Sequence, residues 1–363
     1  MIECRLAEDH DRDRWNEFVY ALARKGIYNT LFDWKEIIEH NLGERGLFAI
    51  AERSGQLVGI YPGFITSRFV GDFPLVRRIF RRLVSYEGLA WDYNGPCAKE
   101  NDAEVVKALV SYMDFEAKNL GATDAVIRPY LGDLNAEQVA GESLLCHGYK
   151  EDGDLPFLSQ TIDLTKDEKE LWNEISKDHR ESAVKLRRMG FEIVEDSSEE
   201  SIAILHDCLR KIQERVRLRK GGRMVVPSIN FFKAMLAPHH PPIARLFSVR
   251  REGITYEVNL ETYLHDLICD RWGGAPEFVR GLSVDAGFCC HNILTHKQKG
   301  FRVFDNCWLP RHRTGPLYFF KSRFGGSIRE ITCYSKTFSQ PRSLILRGAK
   351  LAHSAFQAAN SAT

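Results

Sequence analysis

Lys321 and Arg323, set among aromatic residues, mark the segment of this 363-residue chain best suited to chemistry. Pro316 is followed by Leu317-Tyr318-Phe319-Phe320-Lys321-Ser322-Arg323-Phe324-Gly325-Gly326. Proline suits the first turn of a helix, where its missing N–H would be unpaired anyway. The glycine pair permits a sharp exit from the helix. An ammonium held between Tyr318, Phe319, Phe320 and Phe324 would be partly desolvated, so its field would act strongly on a nearby negative charge. Attack on a carbonyl creates such a charge, which makes acyl transfer the matching chemistry. By residue type alone, the same aromatics equally build a core from which Lys321 and Arg323 reach water.

Other residues qualify more weakly. The planar fork of Arg180 suits a substrate phosphate or carboxylate, whereas His179 beside it falls on an apolar helical stripe and reads as an interface residue. Asp305, at a strand end, suits orienting an amine or taking its proton, and equally suits capping the next loop. The run from Arg210 to Arg223 is the most basic stretch. It fits tRNA or nucleotide phosphates, or the solvated cationic end of a helix. His291 and His296 are five apart, not the i, i+4 spacing of helical zinc ligands. None of the nine cysteines forms a C-x-x-C pair, so no metal is expected.

The elements that must position these residues occur in the same order twice. The first half reads as a strand at Ile2–Leu6 and two amphipathic helices ending near Gly26 and Gly43. Strands at Leu47–Glu52, Leu57–Ser67 and Leu83–Leu89 follow. A long helix closes at Gly121, and a strand at Ala125–Arg128, a helix at Asn135–His147 and a strand at Leu158–Asp163 complete the set. The second half opens with a capping box at Thr165–Glu168 and one helix to Gly190. Next come a strand at Phe191–Val194 and helices at Ile202–Leu218 and Ser228–Leu236. Strands at Ala244–Val249, Ile254–Leu264 and Leu267–Trp272 precede a helix at Ala286–Lys299. A strand at Arg302–Asp305, a short helix near Leu317 and a final strand at Ser327–Thr332 end the pattern. This predicts an α/β (α+β) protein of two tandem modules, each a mixed, mostly antiparallel sheet flanked by helices. The expected boundaries are 1–155, 156–340 and a C-terminal tail of 341–363, with a loose helix at Leu344–Phe356.

Bulk composition agrees with two packed domains: 44% hydrophobic and 27% charged residues exclude a disordered or collagen-like chain. Fifty basic residues against 49 acidic ones leave a net charge of +1, so charge does not announce a DNA-binding protein. The odd cysteine count suits a reducing compartment. With neither a signal-peptide pattern at Met1–Arg5 nor an apolar run of ~20 residues, a cytoplasmic protein with at most peripheral membrane contact is expected.

The segment Phe320-Lys321-Ser322-Arg323-Phe324-Gly325-Gly326 resembles the F-K-x-x-F-G-G signature of the Fem family, the aminoacyltransferases of peptidoglycan interpeptide bridges. Leu171-Trp172 with His179-Arg180 and Lys185–Gly190, Pro227–Phe232, Gly273-Gly274-Ala275, and Lys299-Gly300 with Phe304-Asp305 are similar to further family segments in order and spacing. The resemblance runs from about Pro156 to Gly326; the first module matches in layout alone. It implies two acetyltransferase-type (GNAT) modules and transfer of an activated amino acid to an amine of a cell-envelope precursor. Lys321 would stabilise the oxyanion, and the Phe320 backbone would shape the site. Arg180, Arg323, Tyr318, Asp305 and, in the first module, Trp34 and Lys35 would contact substrates. No permanently bound cofactor is implied: the donor, aminoacyl-tRNA or an acyl thioester, is a co-substrate. Small or lipid-linked envelope precursors and charged tRNA would be the partners. Two departures stand out: the charged helical hairpin some members use with tRNA is missing, and so is a complete R/Q-x-x-G-x-G/A loop for coenzyme A. An acyl-CoA- or acyl-carrier-dependent N-acyltransferase, or a non-catalytic peptide- or glycan-binding module, are the alternatives.

Overall fold

The computed structural model describes residues 1–22, 28–67, 84–87, 95–153, 157–220, 226–309, 313, 315–339 and 341. They fall into two compact units, Met1–Pro156 with Thr332–Thr363, and Phe157–Ile331. The expected helix at Leu344–Phe356, part of the strand at Leu83–Leu89 and the end of the basic stretch lie outside the described residues.

In the first unit, β1 (Ile2–Leu6) leads through α1 (Arg12–Ala21) to α2 (Phe32–Leu42), which ends where Gly43 turns to φ +67°. The strands β2 (Arg45–Gly46), β3 (Ala49–Arg53), β4 (Gln56–Tyr61), β5 (Phe64–Ser67), β6 (Val84–Glu87) and β7 (Cys97–Ala98) follow. The single strand expected over 57–67 is two, because Pro62-Gly63 interrupts it; β4 joins the sheet β1-β3-β4-β7 and β5 joins another. The helix α3 (Ala103–Asn119) is capped by Asp102, whose carboxylate accepts from the Glu104 and Val105 amides. It buries Val105, Val106, Leu109, Val110 and Met113, the 3.6-residue stripe visible in its sequence. β8 (Ala122–Ile127), α4 (Leu134–Cys146) and β9 (Lys150–Glu151) complete this stretch.

The second unit begins with β10 (Phe157–Asp163). The expected single helix to Gly190 is two, α5 (Glu168–Glu174) and α6 (Lys177–Arg188), because Ile175 and Ser176 are extended. Asp167, rather than Thr165, caps α5; the Thr165 hydroxyl and amide are held by Asp163. β11 (Glu192–Glu195), α7 (Glu199–Lys220), α8 (Ile229–Met235), β12 (Ala244–Arg251), β13 (Ile254–Leu264), β14 (Leu267–Gly274), α9 (Val284–Gln298), β15 (Val303–Leu309), α10 (Pro316–Ser322) and β16 (Ser327–Ile331) follow. One seven-stranded sheet results, in the order β11-β12-β13-β14-β15-β10-β16. All its pairs are antiparallel except β14 with β15. Ile162, Leu171, Ile175, Ile268, Ile293, Phe304 and Phe324 form its core, each such side chain contributing about 2–3 kcal/mol of burial.

A last strand, β17 (Tyr334–Thr337), corrects the expected boundary at 340. It pairs antiparallel with β8 and β9 in the first unit's six-stranded sheet. Lys336 on it donates to Asp114 and to the His147 carbonyl, while the Tyr149 hydroxyl donates to Asp114 at 2.7 Å. Tyr334 lies so close to Gly141 on α4 that a Cβ there would sit 2.3 Å from its hydroxyl.

Candidate active site

The parallel pairing of β14 and β15 covers three residue pairs, Leu267 with Val303, Ile268 with Phe304 and Cys269 with Asp305. Beyond Cys269 and Asp305 the two strands no longer pair. Both strands are irregular at this point. In β13–β14 the register shifts between Leu260 and Glu261, leaving Arg271 as the extra residue. In β10–β15 it shifts opposite Gln160, leaving Asn306 and Cys307 between the paired Asp305 and Trp308, with Cys307 at φ +52°. Bulges of this kind re-aim side chains and end pairing.

α10 delivers Lys321 to this place. Gly315 and Pro316 start the helix, and the Lys321 ammonium donates to the carbonyl of Asn306, the first β15 residue past the last pair. The Asn306 side-chain Nδ2 donates to Gln160 Oε1 at 3.1 Å, and Gln160 Nε2 donates to the Gly325 carbonyl at 2.5 Å. One polar chain therefore joins β10, the β15 bulge and the exit of α10. The two glycines are fixed sterically. Gly325 has φ +81° and Gly326 φ +71°; a Cβ would stand 2.7 Å from Glu174 Cβ at the first and 2.3 Å from the Thr161 carbonyl oxygen at the second.

His179 of α6 holds α10 from the other side. It is buried, its Nε2 lies 3.0 Å from the Phe320 carbonyl, and its ring packs at 5.2 Å from Phe320 and 4.5 Å from Phe324. Burial lowers its pKa, so it is a neutral donor to that carbonyl, the interface histidine expected. The Phe320 carbonyl is accordingly engaged, and the Phe320 ring packs in the core at 5.3 Å from Phe324.

The remaining expected contacts divide. Tyr318 is half-buried and packs edge-on to Phe319 at 6.0 Å. Arg323 is exposed and faces Asp178 at 3.4 Å; Arg180, on the same helix as Asp178, faces Asn173 at 3.5 Å. Asp305 is corrected from a substrate contact to a clamp: it has no exposed surface, and its Oδ1 accepts from the Ser159 hydroxyl at 2.8 Å and the Cys307 amide at 2.7 Å, pinning the bulge. Trp34, in the first unit, is also corrected. It has no exposed surface and packs edge-on to Tyr28 at 5.1 Å, as core. Lys35 beside it is paired with Asp9 at 3.6 Å and Glu39 at 3.4 Å and lies over the Phe32 ring.

Several residues near Lys321 escaped the sequence reading. Glu257 and Asn259 on β13, Asp270 on β14 and Asp285 in the first turn of α9 gather on one side of the sheet. The charge of Lys321 acts on both Asp270 and Asp285. Burial pushes the Asp285 carboxyl up to about 7 and Glu257 well above the carboxylate range, each reinforced by its acidic neighbours. Glu257, Asn259 and Glu261 alternate with apolar residues, a pattern that reads as a solvent face; here α9 covers it. Also unforeseen is the buried trio Cys269, Asp305 and Cys307, whose ligand-type atoms lie within 4.8 Å of one another. A hydrogen bond with Cys307 and burial hold the Cys269 thiol far above its ordinary range. A separate groove of about 760 Å³ between α5, α6 and α9 is lined by Trp172, Leu186, Phe191, Cys290 and Leu294; neither Lys321 nor the acidic residues border it.

No family model matches the sequence, and no curated protein does. Solved structures do. FemX superposes with a TM-score of 0.72 at 14% identity, over 95% of this chain and 100% of that one. The C-terminal domain of a putative lysylphosphatidylglycerol synthetase from Agrobacterium fabrum gives 0.55 at 13% identity, over 94% and 96%. A tandem GNAT protein from the clavulanic acid biosynthesis pathway gives 0.54 at 10% identity, over 93% and 98%. The chain therefore shares the fold of FemX and of a tandem GNAT protein.

Proposed function

We propose that the protein is an N-acyltransferase that moves an aminoacyl or acyl group from an activated donor to an amine of a cell-envelope precursor. The observation that carries this reading is the hydrogen bond from Lys321 to the carbonyl of Asn306, just past the point where β14 and β15 cease to pair. One of the three ammonium N–H groups is spent on that carbonyl, which fixes the side chain; the others remain able to donate to an oxyanion. The donor ester or thioester is already activated, so holding it against the amine and stabilising the charge on its carbonyl oxygen suffices, without a covalent enzyme intermediate. Aminoacyl-tRNA is the donor this reading favours, on the F-K-x-x-F-G-G resemblance. Small or lipid-linked envelope precursors are the acceptors it favours, met at the cytoplasmic side. A donor screen tests it: charged tRNA, acyl-CoA and acyl-carrier protein are each offered with an amine acceptor. Transfer from charged tRNA supports the aminoacyl reading; transfer from acyl-CoA alone would replace it with a conventional GNAT reaction.

A further inference from the structure

The face of β13 under α9 is chemically uneven. At one end Glu261 is fully engaged: it accepts from Asn292 at 2.5 Å and from the Tyr263 hydroxyl at 2.6 Å, and meets His296 at 2.7 Å. Two residues back, Asn259 pairs across the sheet with Gly273 and is only 5% exposed. Its Nδ2 donates to the Asp270 carboxylate, which fixes the sense of the amide, because its oxygen cannot face a carboxylate. Asn259 Oδ1 then has no hydrogen-bond partner among the described residues. Next along the strand, Glu257 is buried, and Asp285 and Asp270 both act on it electrostatically. Three carboxyl groups thus share one neighbourhood in which Lys321 is the cation acting on Asp270 and Asp285. Asp270 and Asp285 each keep part of their surface exposed.

An unmatched acceptor beside an excess of carboxyl groups calls for a ligand that brings both donors and positive charge. We propose that Glu257, Asn259, Asp270 and Asp285 bind a primary ammonium group of a substrate, next to Lys321. A primary ammonium offers three N–H donors in a compact cation, enough for Asn259 Oδ1 and two carboxylates at once. A hard divalent cation fits worse: it needs six or more oxygens and would meet twice the repulsion from Lys321. Two sources carry this group in an acyl transfer, the α-ammonium of an aminoacyl donor and the acceptor amine. This assignment rests on the acyl-transfer reading only for the identity of the ligand; binding itself requires no turnover.

The test is an NMR titration of the ¹⁵N-labelled full chain, following the Asn259 side-chain amide and the Gly273 and Gly274 backbone amides. Methylammonium should give saturable shifts, at least tenfold weaker in Asp285→Asn. Tetramethylammonium, equally charged but without N–H donors, should bind at least tenfold more weakly to the wild type, a comparison that stands even where the variant does not fold. L-alanine methyl ester against propylamine then separates a donor-like from an acceptor-like ammonium; the tighter of the two names the source. No saturable shift, an equal response to tetramethylammonium, or tighter binding of magnesium would overturn the site. Such a failure would leave the role of Lys321 standing, since that is read by turnover.

Discussion

Gly326 separates the shape of the signature from its chemistry. Its left-handed backbone and its 2.3 Å approach to the Thr161 carbonyl leave no place for a side chain, whatever Lys321 does. Gly326→Ala should therefore destabilise the second unit by about 2–4 kcal/mol, the cost of an unfavourable φ plus overpacking against backbone; chemical denaturation checks it. Asp285 supplies a pH effect. Its pKa rises from 3.8 to about 7 in the folded protein, so between those values the folded state holds a proton the unfolded chain has lost. Stability from this group falls as pH climbs through that window. Asp285→Asn removes the loss, so the variant should gain on the wild type by about 1–3 kcal/mol between pH 4 and pH 8. An unchanged difference between the two pH values would contradict this. Lys321 was legible in the sequence because a cation amid four aromatics is conspicuous by type. Glu257, Asn259 and Asp285 were not, because strand alternation reports which residues share a face but not whether a helix covers it. For the same reason Asp305 and Trp34 read as contacts although packing closes over both.

At the scale of elements, β17 links the end of the described chain to the first unit. Lys336→Met would leave Asp114, only 4% exposed, with the Tyr149 hydroxyl but no cation. Removing one partner of a buried pair makes the expected cost about 2–4 kcal/mol, measured by thermal or denaturant unfolding of the first unit. A chain ended at Ile331 should lose more, since β8 and β9 would lose the strand that lies between them. Periodicity revealed the long helices and the central strands, whose apolar stripes repeat several times. It did not reveal β17, which is four residues long, nor the break at Ile175-Ser176, where the apolar residues keep a near-helical spacing while the backbone extends. Pairing partners depend on contacts distant in sequence, and no local pattern carries them.

For the molecule as a whole, the duplicated order of elements was readable because each half repeats strand, helices, strands and helix at similar lengths. The superposition on FemX agrees with it across 95% of the chain. A net charge of +1 distinguishes no donor, because a tRNA or a thioester is met by local groups rather than by the total charge. Among the described residues no helix is long and apolar enough to cross a membrane. The central claim is that Lys321 stabilises the oxyanion of an acyl transfer. Single-turnover transfer from charged tRNA to an amine acceptor, wild type against a folded Lys321→Met, tests it most directly. The account predicts an unchanged melting profile and a rate lower by ~10²–10³; a folded variant that transfers at the wild-type rate would contradict it.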